Sequence, residues 1–254
     1  MFPKIFASDF DGVICNGLAE YFASTAKAYQ KIWSQSELTI NDELKNNFYR
    51  LRPVIETGWE MPVLLKALTA DYPLEQIITS WHSVRDEIVQ HYQLDKKHCA
   101  FVLDRVRDHW IDNDLDTWLE LHRFYPHVLE QIQKIINSQT RFYIVTTKEG
   151  RFVRQLLKQQ GIELPAEQII GKESKRPKYE TLRIIKDNAH ESNENIWFIE
   201  DRIQTLKQVQ KQPDLKGIKL FLADWGYNTE PEKTAAKEDS AIELISLSQF
   251  AQNF

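Results

Sequence analysis

A chain of 254 residues that is 42% hydrophobic can bury the core of one large domain or two unequal ones, and only 8 glycines and 9 prolines exclude a low-complexity chain. A net charge of −5 without a long basic run argues against a nucleic-acid surface, and two cysteines, Cys15 and Cys99, exclude a disulfide framework or a CxxC metal site. No apolar run approaches the ~18 residues that would span a bilayer, and the N-terminus lacks the features of a secretory signal, so the expectation is a cytoplasmic protein with no membrane contact.

KIFASDF at the start reads as a short buried strand. From Leu18 to about Gln139 the pattern is helical: LAEYFASTAKAYQKIW, PLEQIITSWHSVRDEIVQHY and CAFVLDRVRDHWI all keep apolar residues at helical spacing. Pro53, Pro62, Pro73 and Pro126 fit helix starts or loops in this block. The pattern then changes to alternation. RFYIVTT is a strand, GRFVRQLLKQQG a helix stopping at Gly161, EQIIG a weak strand and PKYETLRIIKDNAH a helix. NIWFIED is a strong strand, RIQTLKQVQK a helix and IKLFLAD another strand. The polar TEPEKTAAKEDS reads as a loop before a final IELISL element.

Alternation over residues 141–224 implies a parallel sheet with helices on its faces. The economical arrangement returns the first strand to that sheet. The fold class is then α/β, a Rossmann-like parallel-sheet core with an inserted α-helical domain. Residues 1–16 and 122–254 would form the core and residues 17–121 the insert, with stems near Cys15–Gly17 and Leu121–Tyr125.

Open parallel sheets bind ligands at the carboxyl ends of their strands. Here the strands end in Asp9 and Asp11, in Thr146 and Thr147, in Glu200 and Asp201, and in Asp224. At an extended strand end Asp9 and Asp11 would point the same way. Two converging carboxylates call for a divalent cation, a shared proton, or both, and hard oxygen ligands favour Mg²⁺. Gly12 would permit the sharp exit that follows. Taken alone, Asp-x-Asp-Gly would read as a solvated turn; its place after a buried strand, among other acid-ended strands, favours chemistry.

Asp9-Phe10-Asp11-Gly12-Val13, YIVTTK and WFIEDR together resemble the first, second and fourth motifs of phosphatases of the haloacid dehalogenase superfamily. ADWGY (223–227) and FYPHVLEQI resemble segments of its phosphoglycolate-phosphatase-like members. The resemblance covers both sides of the insert and says little about residues 18–120. It implies a Mg²⁺-dependent phosphatase acting on a small phosphorylated metabolite through an aspartyl phosphate. Asp9 would be the nucleophile and Asp11 the acid and base, with Thr146 and a lysine on the phosphoryl group. Metal binding would fall to Asp9, Asp11 (through its backbone carbonyl), Asp201 and Glu200. The insert would act as a cap over the substrate.

Two places depart from the family pattern. The third-motif lysine has candidates in GKESKRPKYETL: Lys178, at the start of a helix, is preferred, Lys175 is its rival, and Lys172 reads as solvated. An overlay on KPxPE instead puts Arg176 at that position. Where many members carry a second Asp after the fourth strand, this chain has Thr205. Within the insert, FYRLRPVIETGWEM is the least helix-like stretch, and Arg50 and Arg52 there could meet an anionic group, Arg52 serving as a substrate-binding residue. Thr147 and Lys148 read equally as residues near the phosphate and as a helix N-cap and a solvent-facing lysine, Cys15 reads as a small buried thiol, and Asp224 as a loop cap. Scattered histidines exclude HExxH-type zinc sites. A phosphomutase, or a binding or regulatory protein without turnover, would use the same scaffold, and the sequence leaves the oligomeric state open.

Overall fold

In a computed structural model describing residues 3–33 and 38–253, the first strand, β1 (Ile5–Ser8), is buried at every position. A two-residue strand, β2 (Cys15–Asn16), follows it. Among the described residues the chain then runs through six α-helices: α1 (Leu18–Ile32), α2 (Asp42–Leu51), α3 (Glu60–Thr69), α4 (Leu74–His91), α5 (Lys96–Asn113) and α6 (Leu115–Leu119). It returns through β3 (Arg123–Phe124), which pairs antiparallel with β2, Asn16 opposite Arg123. Of the long helical reading, residues 34–37 lie outside the described residues.

Helix and strand then alternate as α7 (Val128–Ile136), β4 (Arg141–Val145), α8 (Gly150–Gln159), β5 (Ile169–Ile170), α9 (Lys178–Ala189) and β6 (Ile196–Glu200). They continue as α10 (Ile203–Gln210), β7 (Lys219–Ala223), α11 (Glu230–Glu238), β8 (Ile242–Ile245) and α12 (Leu247–Asn253). Six strands form one parallel sheet in the order β5-β4-β1-β6-β7-β8. The chain divides into two units, Met1–Asn16 with Arg123–Phe254, and Gly17–His122. The fold class is therefore α/β with a Rossmann-like core and a helical insertion.

Strand order explains where a ligand can sit. β1 is central, the chain winds outward from it through β4 to β5, and then restarts on the other side with β6. That reversal beside β1 opens a crevice at the carboxyl edge. The register keeps the edge level: Ser8 lies beside Ile144 of β4 and Ile199 of β6. Alternation within β1 feeds two cores. Ile5 and Ala7 join Phe198, Leu220 and Leu222 under α9 and α10, while Phe6 meets Phe142, Trp197 and Phe250.

Two sequence expectations are corrected. TEPEKTAAKEDS is not a loop, since Glu230–Glu238 is helical. Thr229 caps it with a full capping box, its side chain accepting from the Glu232 N–H while the Glu232 carboxylate accepts from the Thr229 N–H, and a proline occupies the first turn. The polar composition concealed this signal because only one side of the helix is buried, at Ala236. FYRLRPVIETGWEM is also more helical than expected. Its first residues complete α2, Arg52–Val54 form a 3₁₀ turn, and only Ile55–Trp59 separate that turn from α3.

The helical unit has its own polar framework. Glu20 of α1 is buried, and its carboxylate accepts from Arg107 of α5 at 2.8 and 3.1 Å, from Trp118 Nε1 of α6 at 3.2 Å and from Ser24 Oγ at 2.6 Å. Glu60, also buried, accepts from Trp81 Nε1 of α4 at 2.8 Å and from Thr57 Oγ1 at 2.8 Å, with Arg85 4.0 Å away. Among the described residues no helix is long and apolar enough to cross a membrane.

Candidate active site

Asp9 leaves β1 with its backbone still in the sheet, its N–H donating to Ile199 O at 2.9 Å. Its carboxylate accepts from the Phe10 N–H at 2.7 Å through Oδ1 and from Lys178 Nζ at 2.8 Å through Oδ2. Lys178 is the first residue of α9 and also donates to Glu200 Oε2 at 2.7 Å. Glu200 ends β6, and its other oxygen accepts the Arg202 N–H at 3.2 Å. Asp201 comes next, fully buried, with Oδ2 accepting the Tyr227 N–H at 2.7 Å.

Two glycines make room for Asp201. Gly12 has φ +87°, and a Cβ there would fall inside the Asp201 carboxylate; a Cβ on Gly226 would strike the Asp201 Cβ. The loop after β7 is tied to this cradle by Arg202 Nη1 donating to Tyr227 O at 2.7 Å and by Asn228 Nδ2 donating to Asp201 O at 3.1 Å. Backbone approaches so close to a carboxylate that no side chain fits mark a position where the acid's placement matters.

Asp9, Glu200 and Asp201 each bring an oxygen within 4.8 Å of the others. Burial first, and then the neighbouring Asp9 charge, push Glu200 well above the carboxylate range and Asp201 up to about 6. Burial alone would depress the Lys178 ammonium, but Asp9 and Glu200 outweigh it and hold its pKa above the ordinary lysine value. One lysine does not neutralise three buried acids. An all-oxygen, hard donor set with surplus negative charge fits a divalent cation such as Mg²⁺.

Asp11 stands apart from this cluster. β1 ends at Ser8, so the shared strand face expected for Asp9 and Asp11 does not extend to both. The turn through Gly12, closed by its N–H on Cys15 O at 2.8 Å, carries Asp11 elsewhere. Its carboxylate meets Lys148 Nζ at 3.2 and 3.4 Å. Lys148 is thus mostly buried and paired, which removes the solvent-facing alternative and leaves the one at the strand ends. Its position three residues beyond β4, level with Thr146, was the available signal. Thr146 is buried and its Oγ1 accepts the Lys148 N–H at 3.2 Å, so its hydroxyl can still donate to another acceptor.

Of the third-motif candidates, Lys178 alone meets the acids; Lys175 and Arg176 are exposed. Arg52 is engaged inside the helical unit, donating from Nη1 to Ile55 O at 3.1 Å with its guanidinium 5.0 Å from the Tyr21 ring centre. Arg50 pairs with Glu75 in an exposed contact. Cys15 is buried, and burial followed by the Asp11 charge raises its thiol pKa far above the usual value. Asp224 lies outside the acidic cluster.

A family model for haloacid dehalogenase-like hydrolases matches residues 61–213. The chain belongs to the haloacid dehalogenase-like hydrolases. No curated protein matches it. Solved structures similar to it include a proposed phosphoglycolate phosphatase from Lactobacillus delbrueckii subsp. bulgaricus, 13% identical, TM-score 0.63, with 100% of each chain covered. A predicted phosphatase from Clostridium acetobutylicum is 12% identical, TM-score 0.61, covering 99% of this chain and 98% of that one. A predicted phosphoglycolate phosphatase from Haemophilus somnus 129Pt is 16% identical, TM-score 0.59, covering 89% and 88%. At these identities the likeness is one of fold. The family match begins after Asp9 and Asp11, so the reading of those two residues rests on the geometry of the crevice.

Proposed function

We propose that this haloacid dehalogenase-like hydrolase is a phosphatase acting on a small phosphomonoester, with Asp9 as nucleophile. The observation that carries the reading is the meeting of Asp9, Lys178, Glu200 and Asp201 at the switch point of the sheet, beside a buried hydroxyl at Thr146.

An Asp9 oxygen attacks phosphorus, the bond to the leaving alkoxide breaks, and Asp11 supplies the proton that the leaving oxygen takes up. Water then attacks the aspartyl phosphate, giving its proton to Asp11, and the phosphorus–Asp9 bond breaks to release phosphate. Thr146 donates a hydrogen bond to the phosphoryl group, and Lys178 balances charge along Asp9 and its ester. Asp9, Asp201 and Glu200 would hold Mg²⁺, which when bound supplies charge neutralisation between the phosphoryl oxygens and the carboxylates. For Asp11 to act, it must part from Lys148.

Phosphate release from a panel of phosphomonoesters, with Mg²⁺ or with EDTA, tests the reading. Asp9→Asn should lower kcat by more than about 10³-fold with folding intact. Release that persists in Asp9→Asn would remove Asp9 from the chemistry.

A further inference from the structure

Asp11 and Lys148 meet from the loops that follow β1 and β4, two adjacent strands of the sheet. The turn after β1 fixes the backbone around Asp11: Phe10 O accepts from the N–H groups of Ile14 and Cys15, each at 2.9 Å, and the Gly12 N–H closes on Cys15 O. Among the described residues the donor to the Asp11 carboxylate is Lys148 alone. Lys148 is itself clamped at its backbone. Its N–H donates to Thr146 Oγ1 at 3.2 Å, and its carbonyl accepts from the Lys172 N–H at 2.9 Å. Gly171 lets these two turns close, since a Cβ there would fall 2.7 Å from Lys148 O. From that anchor the lysine stem runs inward, and the side chain is only 9% exposed. Burying a lysine costs rotamer entropy and hydration, which the Asp11 contact offsets.

Asp9, Glu200 and Asp201 fit a divalent cation, and such a cation attracts further carboxylates. Asp11 is the next acid along the chain from Asp9 and stands outside their cluster. Without a partner of its own, its carboxylate would be a fourth acid for the same cation. A carboxylate taken up by a metal has its lone pairs engaged and is lost to proton exchange with a leaving oxygen or with water. We infer that Lys148 is a positioning residue that holds the Asp11 carboxylate off the cation at the three acids and so reserves it for proton transfer. Lys148 thus sets where Asp11 waits, and the contact opens when Asp11 acts. The inference rests on the phosphatase reading for the task of Asp11 and adds the residue that keeps the two aspartates in separate roles.

Mg²⁺ affinity, measured by calorimetry without substrate, tests this in a cycle of wild type, Lys148→Met, Asp11→Ala and the double variant. Lys148→Met should bind Mg²⁺ about tenfold more tightly than wild type, and the same change in the Asp11→Ala background should gain about twofold or less. The coupling separates the explanations. Loss of a positive charge acting through space would tighten binding equally in both backgrounds, and loss of a mere tie between loops would leave affinity unchanged or weaken it. Lys148→Arg, which keeps the cation, should restore the wild-type affinity. Lys148→Gln replaces the methionine variant should that one fail to fold. Equal gains in the two backgrounds, no gain, or no Mg²⁺ binding by any of the four proteins would overturn the inference. None of these outcomes touches the Asp9→Asn test, which is read from phosphate release.

Discussion

Both units of this protein bury acids, and they balance the charge in opposite ways. In the helical unit Glu20 is met by a guanidinium, an indole N–H and a hydroxyl, and Glu60 by an indole, a hydroxyl and a more distant arginine. Each is saturated by side-chain donors, one from its own helix or the turn before it and the others from neighbouring helices, so each reads as a structural cross-link. In the α/β unit Asp9, Glu200 and Asp201 are met by Lys178 and a few backbone amides, with the Arg202 charge also acting on Asp201. Their repulsion is stored, and a ligand of positive charge relieves it. Burial of an acid therefore says little about function; the sum of the donors around it says more.

The largest expected effect lies in the saturated site. Arg107→Met leaves Glu20 buried without its cation and should lower unfolding stability by about 3–5 kcal/mol, read by urea titration. A loss under about 1 kcal/mol would mean that Trp118 and Ser24 suffice, and the contrast between the units would weaken.

The unsaturated site makes a prediction of sign. The folded pKa of Asp201 lies near 6, against 3.8 for an ordinary aspartate. Between those values the folded protein holds a proton that the unfolded chain has released. The stability this group contributes is thus complete below about pH 4 and is lost as pH rises through 6. Metal-free protein should have a lower Tm at pH 7.5 than at pH 5 on account of this group. Added Mg²⁺ should raise Tm more at pH 7.5, by several degrees at saturating concentration. A Mg²⁺ shift that is equal at the two pH values would separate metal binding from these acids.

A smaller effect sharpens the same comparison. Asp201→Asn keeps an oxygen for the Tyr227 N–H while removing one repelling charge. Without metal at pH 7.5 it should change stability by less than about 1 kcal/mol, or increase it, and it should abolish most of the Mg²⁺ shift. A loss of several kcal/mol would make Asp201 a structural acid like Glu20.

Much of the core was legible in the sequence. Short apolar runs ending in Asp9, Thr146 and Glu200–Asp201 can be buried only in a sheet covered on both faces, and their order fixed the parallel arrangement. Lys178 was preferred from its place at a helix start, where a side chain can reach the sheet edge. The Lys148–Asp11 pair was not visible, because it depends on where β1 ends and how the Gly12 turn aims Asp11. Nor was the seat of Asp201 between Gly12 and Gly226, which joins backbone segments more than two hundred residues apart. Helix α11 was legible in principle through Thr229 and Glu232, but its polar surface offers no periodic stripe.

The central position of β1 also sets an order in time. It leaves the ribosome well before its two hydrogen-bonding neighbours, which begin at Arg141 and Ile196. Ser24, Arg107 and Trp118, from which Glu20 accepts, have all been synthesised by residue 118. During translation the helical unit can satisfy its buried acid while the strand that leads to Asp9 still lacks a sheet, so Asp9 is encoded early and positioned late.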